Sequence, residues 1–263
     1  TLLRKHIYAQ VSRKSLYKNI LSSNLSPAIP VRYHDINRLN SIFDLPGYEF
    51  HMSSHDITLS PNDYINKQEF QSKQLIVHSV EQYNDGFIID LASNSKNHRE
   101  ESLKRIIDLI KHIENLRHFF VNTNKVPLVI NCGGHTQDKA LDTNSAKEKT
   151  KIIAKSMRNI QDGFPFIELL AQTMPPFPWH QGGRSFHNCL ATKESIFNYL
   201  DISGLDICLD ISHTALASNY FRFSFYDTLN ELINNTGHLH IADASKNNQE
   251  GQPIGEGELD FSR

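Results

Sequence analysis

The chain has 263 residues, a formal net charge of −2, 39% hydrophobic and 21% charged residues, and 14 histidines beside three cysteines and one tryptophan. No apolar run approaches the roughly 18 residues of a membrane helix and the N-terminus lacks a signal-peptide pattern, so a soluble cytoplasmic protein with no membrane partner is expected. Cys132, Cys189 and Cys208 are odd in number and widely spaced, which excludes a disulfide framework, and near-neutral charge without a basic stripe argues against nucleic acid as a partner.

Residues 1 to about 28 scatter Lys and Arg among Ser and Asn without a period, and read as a linker or the remnant of a preceding domain. From there apolar runs alternate with segments of helical period. The runs are 28–33, 48–53 (YEFHMS), 74–79 (QLIVHS), 126–132 (VPLVINC), 165–170 (PFIELL), 206–211 (DICLDI) and 237–243 (GHLHIAD). Continuous hydrophobicity of this kind suits strands buried on both faces of a parallel sheet. Between them, Leu103, Ile106, Ile107, Ile110 and Ile113 mark one face of a helix. Asn97 with Glu100, and Ser145 with Glu148, look like capping boxes, while Gly204 and Gly237 stand where helices should stop.

Strand then helix, repeated without an antiparallel hairpin signal, leaves a closed eightfold barrel or an open doubly wound sheet. An open nucleotide-binding sheet carries a Gly-rich turn after its first strand. Gly255-Glu-Gly257 instead follows a polar loop late in the chain. The expected fold is therefore α/β, a TIM (β/α)8-type barrel over residues 29–263, with seven strands visible and the eighth lying beyond Arg263.

Such barrels build their sites at the C-terminal ends of the strands. Standing there are His51, His55, His78, Asn131, His135, Glu168, Asp210, His213, His240 and Asp243. Imidazoles and carboxylates from successive strands suit a divalent metal such as Mn, Zn, Co or Mg. A lone His or Asp near a strand end is more often a helix cap or a satisfied polar neighbour. Glu168, Asp210 and His240 differ because each lies in or ends an apolar run, where an unpaired charge would cost several kcal/mol. They are the expected metal ligands. His78 and His213 are candidates for substrate contact. The loop 173–188 (TMPPFPWHQGGRSFHN) adds Trp179, His180 and Arg184, an aromatic face beside a cation that suits a sugar ring with an anionic substituent; the plain alternative is a stiff loop plugging the barrel.

These motifs carry a resemblance. His78 followed by IIDLAS, a helix with Arg99 and Ser102, Glu168 in its strand, LDISH (209–213), HLHIADASK (238–246) and IGEGELDF (254–261) resemble the xylose-isomerase-like barrel superfamily, which also contains zinc-dependent apurinic endonucleases. EFHMSSHDI, VINCGGHT, PPFPWHQGGRSFHN and LDISHTALASN further resemble the sugar-phosphate-isomerase-like module appended to sialic-acid-synthase-like enzymes of bacterial surface-sugar pathways, which implies a synthase-like domain as neighbour. The resemblance implies Glu168, Asp210 and His240 as metal ligands and places His213 and Lys246 at substrate-contacting positions. It departs from the endonuclease branch at Asn131, where that branch has a histidine, and in lacking an Asp-x-His pair after His240.

The function expected is a metal-dependent sugar or sugar-phosphate isomerase or epimerase working through an enediolate, with Glu168 as general base and His213, Lys246 and Arg184 orienting the carbohydrate substrate. The rivals are a metal-dependent phosphodiesterase and a noncatalytic carbohydrate-binding module.

Overall fold

The computed structural model describes residues 26–43, 45–120, 125–137, 139–178, 185–246 and 249–261. Nearly all of the expected N-terminal linker, and Trp179, His180 and Arg184 with it, lie outside the described residues. In chain order the elements are β1 (Ala28–Val31), α1 (Ile36–Ile42), β2 (Gly47–His51), α2 (Lys67–Phe70), β3 (Gln74–His78), α3 (Lys96–Leu116), β4 (Val126–Ile130), β5 (His135–Thr136), α4 (Thr143–Gly163), β6 (Ile167–Gln172), β7 (Phe186–His187), α5 (Lys193–Ser203), β8 (Ile207–Asp210), α6 (Ile211–Phe221), α7 (Phe225–Leu232), β9 (Thr236–His240), β10 (Asp243–Ser245) and β11 (Gln249–Gln252).

Seven strands pair in the order β1-β2-β3-β4-β6-β8-β9, every pair parallel. In a flat sheet β2 and β9 would stand five strand spacings apart, about 24 Å. Instead Glu49 of β2 lies 2.9 Å from His240 of β9. The sheet therefore curls on itself as part of a barrel, and side chains from opposite ends of the strand order meet inside it.

Alternation along the strands separates two environments. The outward row Phe50, Val77, Leu128 and Leu169 belongs to the main core beneath the helices, with Ile106, Ile110 and Ile113 of α3. The inward residues Val129, Leu170 and Cys208 form a small separate apolar cluster. Beside that plug β2 and β9 present Glu49, His51, His238 and His240 inward, while β3 keeps the apolar Ile76 in register with Glu49.

Several local expectations are corrected. Helix α3 is capped by Ser95, whose side chain accepts from His98 N, and α4 by Asp142, which accepts from Ser145 N; both helices start before the sequence pattern suggests. Gly204 does end α5 in the left-handed conformation, φ 60°. Gly237 lies within β9, where a Cβ would meet Leu170 at 2.7 Å. Two antiparallel pairs, β5 with β7 and β10 with β11, sit outside the barrel sheet. No helix among the described residues is long and apolar enough to cross a membrane.

Candidate functional site

LDISH is a strand that runs directly into a helix. Asp210 ends β8 and caps α6: its Oδ1 accepts the backbone N–H of His213 (2.9 Å) and the Ser212 hydroxyl (2.9 Å). That leaves Oδ2 turned into the barrel, where Gln172 Nε2 donates to it at 3.0 Å and His240 Nδ1 lies 3.4 Å away. Capping and site chemistry are thus shared by one carboxylate. Burial works to raise the Asp210 pKa, but His213 and His240 around it hold it well below the carboxylate range.

Gln172 is the residue the sequence reading missed. It ends β6 and is buried, its Oε1 3.0 Å from His78 Nε2 and its Nε2 3.0 Å from both Asp210 Oδ2 and His240 Nδ1. The amide therefore knits the C-terminal ends of β3, β6, β8 and β9 together. His78 is stacked on His51, ring centroids 4.7 Å apart, and burial, reinforced by the neighbouring His51 charge, pushes its pKa down to about 4.

Glu168 does not join this group. It is the second residue of β6, paired with Pro127, and its Oε1 neighbours Gly237 near the start of β9. Four residues along a strand is about 13 Å, so Glu168 stands toward the opposite end of the barrel from Gln172. Burial, and Asp206 after it, raise its pKa. The expected ligand set of Glu168, Asp210 and His240 is therefore not assembled. Where an anionic third ligand was expected, a neutral NH2 group sits 3.0 Å from both Asp210 Oδ2 and His240 Nδ1. The expected metal does not fit these three residues.

A different set of donors lies beneath. Glu49, inward on β2 and 5% exposed, has three imidazoles around its carboxylate: His238 Nε2 at 2.9 Å, His240 Nε2 at 2.9 Å and His51 Nε2 at 3.1 Å. Burial works to raise its pKa, but the His240 charge and the three imidazole contacts hold it well below the carboxylate range. For His240 burial disfavours the charged ring, yet Cys208, Glu49 and Asp210 keep its pKa well above the imidazole range. Ligand atoms of Glu49, His238 and His240 lie within 4.8 Å of one another, a group able to hold a metal ion.

The remaining expected residues divide. His213, in the first turn of α6, is tied through Nδ1 to Thr173 O (2.9 Å) and turns Nε2 toward Glu250 Oε2 (3.5 Å). Lys246 is exposed at the turn after β10 with φ 58°; its backbone N–H donates to Glu258 Oε2 and its carbonyl accepts from Asn219. His55 is exposed, and His135 lies in the β5/β7 pair with its ring 6.1 Å from that of His187. Asp243 is fully buried and structural. Its oxygens accept the backbone N–H groups of Ala244, Gly255, Gly257 and Leu259, and a Cβ on Gly257 would collide with the Asp243 carboxylate. The Gly-Glu-Gly turn is thus a cradle for an internal carboxylate. A cleft lined by Arg32, His51, Ser53, His78, Ser79 and Glu81 opens at the same end of the strands.

A family model described as a xylose isomerase-like TIM barrel matches residues 49–263. The chain belongs to this family. Among solved structures it resembles a D-tagatose 3-epimerase-like protein (TM-score 0.63, 18% identity, covering 89% of this chain and 82% of that one). It also resembles an L-ribulose 3-epimerase (0.57, 14%, 89% and 74%) and endonuclease IV from Thermus thermophilus (0.53, 14%, 88% and 80%). At these identities the likeness is one of fold. No curated protein sequence matches. Both epimerases and an endonuclease share the barrel, so chemistry has to be argued from the mouth itself.

Proposed function

We propose that this mouth binds a small carbohydrate and moves a proton on a carbon beside a carbonyl, as a sugar isomerase or epimerase does. The observation that carries the reading is a pair of imidazoles on separated strands, each tied down through one ring nitrogen. His51 at the end of β2 is held through Nε2 by Glu49, and His213 after β8 is held through Nδ1 by Thr173 O. Each anchor fixes the ring and leaves the other nitrogen for proton exchange: Nδ1 of His51, and Nε2 of His213, which stands 3.5 Å from Glu250 Oε2. Three strands separate β2 from β8 in the sheet order, so the two rings approach the mouth from different sides.

In this scheme one imidazole takes the carbon-bound proton as the C–H electron pair moves toward the carbonyl. The other returns a proton to the enediolate. If it does so from the opposite face the stereocentre inverts; delivery to the neighbouring carbon gives the isomer. Arg32, in the cleft beside His51, would pair with an anionic substituent such as a phosphate or carboxylate. The resemblance of the sequence motifs supports a sugar of bacterial surface-sugar, sialic-acid-like metabolism, with a synthase-like domain as neighbour.

The test is solvent exchange. Ketopentoses, ketohexoses and their phosphates, incubated with the protein in D2O, should take up deuterium next to the carbonyl, and His213→Gln should cut the rate by about 100-fold or more, the weight of one positioned acid or base. A complete lack of exchange with any sugar that binds would overturn the assignment. That outcome would favour a second reading, a carbohydrate-binding module without turnover. It draws support from Gln172, a neutral amide at the place where a carboxylate was expected.

A further inference from the structure

The polar group below the mouth calls for an explanation that the sugar reading does not supply. Interior layers of a barrel are ordinarily filled by bulky branched side chains. Val129, Leu170 and Cys208 make such a plug, but the adjoining inward positions of β2 and β9 carry a carboxylate and two imidazoles. Burying an ionised carboxylate is expensive unless it is paired or coordinates a metal.

Two geometric facts separate these possibilities. His238 and His240 both direct Nε2 at Glu49, at 2.9 Å each, and the three ligand atoms fit within 4.8 Å, the span of neighbouring donors around one small cation. His240, in addition, has its second nitrogen beside Asp210 Oδ2 (3.4 Å). A carboxylate behind one ring nitrogen, with the other nitrogen aimed at a shared point, is the arrangement that orients a ligating histidine and raises its basicity.

We infer that Glu49, His238 and His240 form a site for one divalent transition-metal ion, of the zinc class, inside the barrel beneath Gln172. Two imidazoles and one carboxylate suit zinc or cobalt better than magnesium or calcium, which take oxygen donors. Three protein ligands leave an open position, as in catalytic zinc sites. The His238 and His240 side chains are each 17% exposed, so the site is not sealed from solvent. His51 donates to the same carboxylate and would act as a partner of a bound ligand rather than a ligand. This site shares Glu49 with the sugar reading, in which that carboxylate anchors His51, but metal binding is read out directly and stands whether or not a sugar is turned over.

The experiment is metal titration of the full chain after chelator treatment, using Zn2+ alone and then Co2+ alone. One equivalent of Zn2+ should bind and raise the unfolding temperature, and one equivalent of Co2+ added to the metal-free chain should give a visible d–d absorption band that Zn2+ then abolishes. Glu49→Gln and His238→Gln should each weaken binding by about 100-fold or more, beyond the 10–100-fold cost of losing an outer partner. Gln172→Ala, which removes only an outer partner of His240, should weaken binding by no more than 10–100-fold and still reach one equivalent with the Co2+ band at saturation. Circular dichroism confirms that each variant folds, and the thermal shift on adding Zn2+ separates a folded protein without the site from one that has lost its structure. Absence of a stoichiometric ion in the wild type would overturn the site. So would unchanged binding in both ligand variants, and binding lost in Gln172→Ala but kept in Glu49→Gln would move the ion to the mouth.

Discussion

Strand β6 presents two polar side chains on the same inward face, four residues apart, and they live in different worlds. Glu168, near the start, is partly exposed, and the groups acting on its charge are Asp206, Lys125 and His238. Gln172, at the end, is buried, and its one amide reaches His78, Asp210 and His240, each at 3.0 Å. The carboxylate has the chemistry expected of a site and stands away from it. The amide has weaker chemistry and stands at the junction of four strands. Height along a barrel strand therefore decides a residue's role more firmly than its type, because the strands deliver side chains to a common point only at one end.

The comparison can be broken most directly by removing the amide. Gln172→Leu keeps the volume but leaves Asp210 Oδ2, His240 Nδ1 and His78 Nε2 without their shared partner. Buried polar groups stripped of partners cost about 1–3 kcal/mol each, with incomplete additivity, so a loss of roughly 3–4 kcal/mol is expected in denaturant unfolding. A loss below about 1 kcal/mol would mean that the network relaxes around the amide and that Gln172 is not the junction.

Acid sharpens the same contrast. His78 has a folded pKa of about 4 against an ordinary value of 6.5. Between those values the unfolded chain binds the proton and the folded one does not, so stability falls as pH drops from 6.5 toward 4. The full window is worth up to about 3 kcal/mol. His240 works the other way: its raised pKa gives stability that is fully present below 6.5, so it adds no slope in this window. Asp210 and Glu49, held low, lose their contributions only below the ordinary carboxylate range. His78→Gln should flatten the curve between pH 6.5 and 4, leaving the smaller slope from His112 and His135, whose pKa values burial also lowers. An unchanged slope would remove His78 from the account.

These particulars also explain what the sequence could and could not reveal. The seven strands and their parallel order follow from apolar runs, and the observed strands overlap each expected run. Asp210 and His240 come together because LDISH and HLHIAD place them at strand ends. In the sequence the apolar run of β6 ends at Leu170 and the Pro-rich loop begins at Thr173. The strand continues because the barrel satisfies the amide with three partners, and that shift of two residues moved Glu168 away from the mouth. Glu49 was passed over between Tyr48 and Phe50. The reasoning applied to Glu168, that an acid inside an apolar run needs a partner, would have singled it out; its partners, His238 and His240, lie some 190 positions away and become visible only when the sheet curls.

The smallest effect tests the other end of β6. Because burial and Asp206 raise the Glu168 pKa, the folded state slightly disfavours its charged form at neutral pH. Glu168→Gln removes that charge and keeps the shape. Solvent screening at a half-buried position limits the gain to a few tenths of a kcal/mol up to about 1 kcal/mol, so the variant should be as stable as the wild type or marginally more so. Zn2+ stoichiometry should be unchanged, since Glu49 and not Glu168 supplies the carboxylate. Deuterium exchange into a sugar substrate should also survive. A stable Glu168→Gln protein that lost either its metal or its exchange would show that the strand end facing away from the mouth takes part in the chemistry, and the contrast between the two ends of β6 would fail at its weaker side.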